Sequence, residues 1–180
     1  LDINGNVTEN TTNDDRRRTG KNSVPDYQGS FGFEIDYKNF FLTTQFNYAI
    51  GVWRNDFEYS GYIDSDDIGQ FNVSNDLSRA WTPDNRITDI PSLFATNIDA
   101  GDLSDRFLFN SDYVRLRFIQ FGYNLPKRHL DKLGLSRLRF FANGENIITL
   151  SGWRGFDAEA TGQYGYPTPK TYSVGIELGL

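Results

Sequence analysis

Side chains capable of metal binding or covalent catalysis are scarce in this sequence. It contains one His, no Cys and no Met, which removes thiolate metal sites, Cys nucleophiles and disulfide scaffolds. A single His also argues against a Ser-His-Asp enzyme. Asp157 and Glu159 form a carboxylate pair, but no partner group or substrate site for acid-base chemistry accompanies them. We therefore expect no catalytic residue, no metal ligand and no cofactor.

One oxygen-rich stretch near the start of the chain has the alternate spacing of a calcium loop. Asp2, Asn4 and Asn6 stand at every second position, as the first ligands of such a loop do. A calcium loop also needs a Gly at its sharp turn, and Gly5 does not stand at that position. The late acid that such a loop needs as a bidentate ligand cannot be assigned to a particular residue here. We favour a solvated turn over calcium binding.

The three Trp residues lie in or beside predicted loops, at positions 53, 81 and 153. Their flat faces could stack on sugar rings or pack on a peptide ligand, so Trp53, Trp81 and Trp153 are candidate ligand-binding residues. The alternative interpretation is anchoring at a membrane interface or packing within the loops.

Six charged residues occupy the polar positions of predicted strands. They could line a solute path and tune its selectivity, or they could form salt bridges across strands or to another domain. They are Glu34, Asp36, Arg137, Arg139, Glu145 and Glu177.

The composition combines hydrophilic character with many aromatic rings. Net charge is −6, with 18 Lys and Arg, which argues against a nucleic-acid binder. Mean hydropathy is −0.55, yet aromatic residues make up 16% of the chain. No apolar run is long enough for a membrane helix, whereas aromatic residues diluted by alternation are typical of membrane β-barrels. The first residue is Leu1, which we interpret as a processed chain or an internal fragment.

Alternation with a period of two predicts the elements that position these residues. Five strands are expected, at about 27–38, 40–53, 112–126, 137–149 and 171–180, with a tight turn at Lys38-Asn39. A change of phase predicts a β-bulge near Phe118. Leu130, Leu133 and Gly134 predict one helical turn with a Gly cap. Residues 1–26 form a polar loop, and 54–111 and 150–170 form long loops.

The last third of the chain resembles the C-terminal end of SusC/RagA-type TonB-dependent transporters of Bacteroidetes. Four motifs occur in the family's order: FGYNLP at 121–126, GENI at 144–147, GFDAE at 155–159 and YPTPKTY at 166–172. The stretch before Tyr27 also resembles the family's DxNGDG segment, although one acid and one Gly are missing. Family members usually finish with an aromatic residue, whereas this chain ends in Leu180.

The resemblance implies an all-β fold: the C-terminal strands of a 22-stranded antiparallel transmembrane barrel, with residues 1–26 as an extracellular loop and 27–180 in the barrel domain. It also implies an integral outer-membrane importer of oligosaccharides or peptides that works with a SusD-like lipoprotein. TonB would act through an N-terminal region that this sequence does not contain. Transport would not require catalysis, so the protein is expected not to be an enzyme.

Two other folds fit the alternation alone. A soluble β-sandwich that binds carbohydrate would bury one face of each sheet and should be monomeric without detergent. A self-contained eight-stranded barrel would need three further strands within 54–111. Neither explains the ordered motifs.

Overall fold

A computed structural model describes residues 4–5, 12–95, 105–160 and 165–180. Asp2 and Asn6 of the candidate calcium loop lie outside these ranges. The chain divides into two compact units, one formed by residues up to 23 with 53–109 and the other by 24–52 with 110–180. In the described ranges, no helix is long and apolar enough to cross a membrane.

Most of the regular structure is antiparallel β-sheet, with few helices. The helices are α1 (Phe57–Tyr62) and α2 (Lys127–Leu133), and short 3-10 turns occur at Asn13–Asp15, Ser65–Asp67 and Asn75–Arg79. The strands are β1 (Tyr27–Tyr37), β2 (Phe40–Ile50), β3 (Trp53–Asn55), β4 (Leu108–Asn110), β5 (Tyr113–Asn124), β6 (Arg137–Ser151) and β7 (Thr171–Gly179).

The second unit contains one five-stranded sheet in the order β1-β2-β5-β6-β7, and every pair of neighbours is antiparallel. All five predicted strands are present, with ends within three residues of the prediction. Because the order is antiparallel, the two short connections, 38–39 and 125–136, leave the same end of the sheet. We call this the turn end. The long connections, 51–112 and 152–170, leave the opposite end, which we call the loop end.

Three local features expected from the sequence are confirmed. Lys38 adopts a left-handed φ of 57° between paired Tyr37 and Phe40. Helix α2 ends at Gly134, whose φ is 68° and whose N–H donates to the Leu130 carbonyl. The register between β5 and β2 shifts at Arg117, so the predicted bulge lies one residue from the expected position.

The first unit has more structure than a plain loop. Its small hydrophobic core is assembled from residues scattered along the sequence: Ile63, Leu77, Ala80, Ile90 and Phe107. β3 and β4 pair with each other in a separate sheet and have three residues each. No other strand occurs among the described residues of 54–111, so this region does not supply the three long strands of an eight-stranded barrel.

Candidate functional site

One face of the five-stranded sheet, which we call the apolar face, carries almost only hydrocarbon and aromatic side chains. Register places on it Tyr27, Gly29, Phe31, Phe33, Ile35, Tyr37, Phe40, Leu42, Thr44, Phe46, Tyr48, Ile50, Val114, Leu116, Ile119, Phe121, Tyr123, Leu138, Phe140, Ala142, Gly144, Ile148, Leu150, Tyr172, Val174, Ile176 and Leu178. None of these residues, all of which the structure describes, is charged.

The hydroxyl of the single Thr on this face is hydrogen-bonded within the protein. The Thr44 hydroxyl donates to the backbone carbonyl of Phe33 at 3.3 Å. A hydroxyl satisfied by the backbone is what hydrocarbon surroundings require, because an unpaired polar group there costs several kcal/mol.

The apolar face is exposed rather than packed into a core. Phe31 is 53% exposed, Phe140 43% and Ile176 63%. A soluble β-sandwich would bury such a face against a second sheet, so this exposure disfavours that alternative. An exposed surface of this size marks a membrane or protein contact.

Tyr side chains stand at both ends of the apolar face. Tyr27 and Tyr37 begin and end β1, and Tyr172 and Tyr123 lie toward the loop end and turn end of their strands. The ten-residue step from Tyr27 to Tyr37 spans about 33 Å along the strand, which a tilt of about 40° reduces to about 25 Å. This height equals that of the apolar band of outer-membrane barrels, which aromatic girdles flank.

The opposite face, which we call the polar face, is tied together by hydrogen bonds between neighbouring strands. The Gln120 amide donates to Asn143 Oδ1 at 2.8 Å, and the Ser30 hydroxyl donates to Asn47 Oδ1 at 3.1 Å. Phe41, Phe118 and Phe141 also lie here. The ring of Phe41 covers Gly122 of the next strand, and the ring of Phe141 covers Gly175.

All six predicted charged residues lie on the polar face. Three of them come together at the turn end: Arg137 Nη1 lies 2.8 Å from Glu177 Oε1, and Arg139 Nη1 lies 3.9 Å from Glu177 Oε2. Arg139 also stacks on the Phe41 ring, 4.4 Å from its centroid. Glu34 and Asp36 are exposed on β1 and Glu145 is exposed on β6, apart from that cluster.

A buried ion cluster at the loop end of the polar face was not predicted. The side chains of Arg115 and Asp157 are each 3% exposed, and Arg115 Nη2 contacts Asp157 Oδ1. Arg115 Nη1 lies 2.7 Å from Glu159 Oε2, and its Nε donates to the Thr149 hydroxyl at 3.0 Å. One guanidinium therefore joins two carboxylates of the 152–170 loop to β5 and β6.

Asp157 also joins the two arms of that loop. Its Oδ1 accepts the backbone N–H of Glu159 at 2.9 Å, and its Oδ2 accepts the backbone N–H of Thr168 at 2.7 Å. Burial raises the pKa of Asp157, but the hydrogen bonds from Thr168, Glu159 and Arg115 outweigh it and lower the pKa from 3.8 to about 2. The carboxylate is therefore charged at all physiological pH values.

The bulge brings two further residues to the cluster. Arg117, the bulged residue of β5, donates to Asn146 Oδ1 at 3.1 Å and to Glu159 Oε2 at 3.3 Å. Asn146 has a φ of 54° within β6, and its amide donates to the Pro169 carbonyl at 3.1 Å. The irregular backbone thus re-aims two polar side chains toward the loop.

This cluster holds the 152–170 loop against β5 and β6. Both Asp157 carboxylate oxygens and Glu159 Oε2 accept hydrogen bonds. Within the described ranges, no group of three or more His, Cys, Asp and Glu residues could hold a metal ion. The sequence contained one signal for the cluster, namely two Arg at alternate positions of a strand and an Asp-x-Glu loop. Their sequence separation of 42 residues concealed the pairing.

The three Trp residues occupy separate settings. In the first unit, Lys21 Nζ lies 4.2 Å from the Trp53 ring centroid, and Trp81 is 43% exposed. In the second unit, Trp153 is half-buried and its indole lies close to Gly155. The contacts described here identify no ligand for any of the three Trp residues.

Comparisons with known proteins agree with the antiparallel β-sheet architecture described above. The chain is 30% identical to TonB-dependent receptor P3 of Formosa agariphila, over 98% of this chain and 18% of the relative. TonB-dependent receptor P39 of the same organism is 29% identical over 88% of this chain and 15% of the relative. The RagAB peptide transporter structure superposes with a TM-score of 0.87 and 27% identity, over 100% of this chain and 20% of that chain.

These relatives and structural neighbours together support a fragment of a SusC/RagA-type TonB-dependent receptor. This confirms the resemblance stated from the motifs at 121–126, 144–147, 155–159 and 166–172. The RagAB peptide importer in its closed-closed state gives a TM-score of 0.85 at 28% identity and also covers 100% of this chain. No protein-family model matches the chain. This SusC/RagA-type sequence spans about a fifth of the length of the relatives that it matches.

Proposed function

We propose that this chain forms part of the wall of a transmembrane β-barrel in the bacterial outer membrane. The apolar face contacts lipid, and the polar face lines an aqueous interior. The observation that carries this proposal is the uncharged apolar face, which is exposed, about 25 Å high and bordered by Tyr at both ends. Both outer strands of the sheet, β1 and β7, have an edge that pairs with further strands, because spanning strands must all be paired.

The family supplies the rest of the barrel. We infer that these are the C-terminal strands of a 22-stranded barrel. The short connections at the turn end face the periplasm, and residues 1–26, 54–111 and 150–170 face the cell exterior, since outer-membrane barrels have short periplasmic turns and long extracellular loops.

The whole receptor is proposed to be an active importer of oligosaccharides or peptides. A SusD-like lipoprotein caps its extracellular mouth, and TonB acts from the periplasm on a region outside this sequence. Some solved neighbours are RagAB peptide importers, which supports import and favours peptides among the two ligand classes. The relatives are receptors and importers, which fits the expectation that the protein is not an enzyme.

Within that importer, the charged residues of the polar face line the solute path. Glu34, Asp36 and Glu145 are exposed on the polar face, whereas Arg137 and Arg139 share the carboxylate of Glu177. Trp53, Trp81 and Trp153, on the extracellular side, remain the candidate ligand contacts.

A matched pair of Arg substitutions tests which face meets lipid. In the full-length receptor, Phe33→Arg places a charge midway along β1 on the apolar face, and Gln45→Arg places the same charge on the polar face, where Gln45 is exposed. A lipid-facing Arg near mid-membrane costs about 2–4 kcal/mol. We expect Phe33→Arg to lower the urea midpoint of the liposome-reconstituted receptor, with little change for Gln45→Arg. Equal effects would contradict the assignment.

A further inference from the structure

The 152–170 loop folds back over the polar face of the sheet. Two of its carboxylates, those of Asp157 and Glu159, contact the guanidinium of Arg115. The side chain of Arg115 lies on the polar face, where its Nε donates to the Thr149 hydroxyl of the paired residue on β6. The described part of the loop therefore lies against the sheet rather than beyond its end.

Burial leads to the same conclusion. Polar-face side chains away from the loop are exposed, as those of Glu34 and Gln45 show, whereas the side chain of Arg115 is 3% exposed. The second arm of the loop lies at the same end of the sheet, since the Asn146 amide donates to the Pro169 carbonyl at 3.1 Å. Among the described residues, the loop is therefore the layer that covers this part of the polar face.

Buried charge fixes the loop in this position. Asp157 contacts Arg115, and its two oxygens also accept the backbone N–H groups of Glu159 and Thr168. Opening the loop would separate a buried ion pair, which is strongly unfavourable because each charge would lose its partner. The backbone next to Asp157 is therefore held in one place on the sheet.

In the proposed barrel, this arrangement narrows the solute path. The polar face lines the interior and the loop end is the extracellular end, so the loop lies inside the barrel near its mouth. Packed sheets are about 10 Å apart, and a layer of chain on the wall reduces the interior width by roughly that amount. A solute that enters the barrel then passes the side of the loop that faces away from the wall.

Phe156 is an aromatic residue in the fixed part of this loop. It directly precedes the buried Asp157, yet it is 67% exposed, so most of its surface does not pack on the sheet. Because its backbone is already held by the ion cluster, a ligand that covers the ring needs no further ordering of the loop. Such a ring packs favourably on apolar and aromatic side chains.

We propose that the 152–170 loop narrows the extracellular end of the barrel interior and that Phe156 contacts the passing solute. The solute is a peptide that carries an apolar or aromatic side chain. Arg115 is a positioning residue, because it holds the loop that carries the ring. The inference rests on the proposed function, since it requires the polar face to line the interior.

Two labelled peptides test the ring contact in the full-length receptor, purified in detergent with any lipoprotein that accompanies it. The eight-residue peptides differ only at one central position, which is Phe or Gly, and fluorescence anisotropy gives each Kd. We expect Phe156→Ser to raise the Kd of the Phe-containing peptide about tenfold, since covering about 60 Å² of apolar surface is worth that much. The Kd of the Gly-containing peptide should not change.

A matched control distinguishes this ring from other exposed rings. Phe71 lies in the first unit and is 69% exposed, so Phe71→Ser removes a ring of similar exposure and should change neither Kd. Phe156→Tyr retains an aromatic face and should retain the preference for the Phe-containing peptide.

Arg115→Gln tests the positioning role. This variant keeps Phe156 but releases the loop, so its preference for the Phe-containing peptide should be smaller than that of wild type. The inference is overturned if Phe156→Ser or Arg115→Gln keeps the full wild-type preference, if Phe71→Ser loses as much, or if the wild type binds maltohexaose and neither peptide. Failure of the proposed function would differ, because the wild-type receptor would then not insert into liposomes.

Discussion

Removal of the Arg115 guanidinium should release the 152–170 loop. In Arg115→Gln, Asp157 keeps its charge at 3% exposure, and Glu159 loses its 2.7 Å partner. Breaking a buried ion pair by removing one partner costs about 3–5 kcal/mol. At about 1.36 kcal/mol per tenfold, the loop should open roughly 150 to 5,000 times more often.

Amide hydrogen exchange of the full-length receptor in detergent measures that opening. The informative amides are those of Glu159 and Thr168, because both donate to Asp157. Arg117→Gln is the matched control. The Arg117 side chain is 41% exposed, and a surface pair is worth about 0–1 kcal/mol, so exchange should rise less than about fivefold. The reasoning is refuted if Arg115→Gln leaves both amides within that range, or if both variants act equally.

Two further perturbations test the polar face. The lowered pKa of Asp157 stabilises the loop above pH about 4, and this stabilisation of about 2 kcal/mol should disappear as the pH falls through 2; exchange of the Thr168 amide, corrected for its intrinsic pH dependence, should show the loss in wild type but not in Asp157→Asn. Gly122→Ala should lower the unfolding free energy by about 1–3 kcal/mol, because the new Cβ would lie 2.3 Å from the Phe41 ring. Gly152→Ala meets nothing within 4 Å and should be neutral, so equal urea midpoints for the two Ala variants would count against the close approach.

Local backbone chemistry made the strands and turns predictable. Side chains alternate between the two faces of any strand, so the stripes of β1 and β7 could be interpreted without a partner strand. The turn at Lys38-Asn39 and the helix end at Gly134 were predictable because turn geometry also depends on only a few consecutive residues. The bulge was visible as a phase change, although the register shifts at Arg117 rather than at Phe118.

Contacts between segments that are distant in the sequence could not be predicted from these local patterns. The first unit collects Ile63, Ile90 and Phe107 into a core although no period connects them. The contact between Arg115 and Asp157 needs the 152–170 loop to return to β5. Each depends on which segments meet, and a one-residue slip would have sent every side chain to the other face.

The sequence by itself determined that five amphipathic strands exist, which of their residues share a stripe, and which receptor family they resemble. Only the tertiary structure decided that those stripes align into one uncharged face, and that Arg115 meets Asp157 across 42 residues. The physical reason is range. Alternation and turn geometry are properties of a few consecutive residues, whereas a buried ion pair forms only where a completed sheet brings two distant segments together and excludes water from both charges.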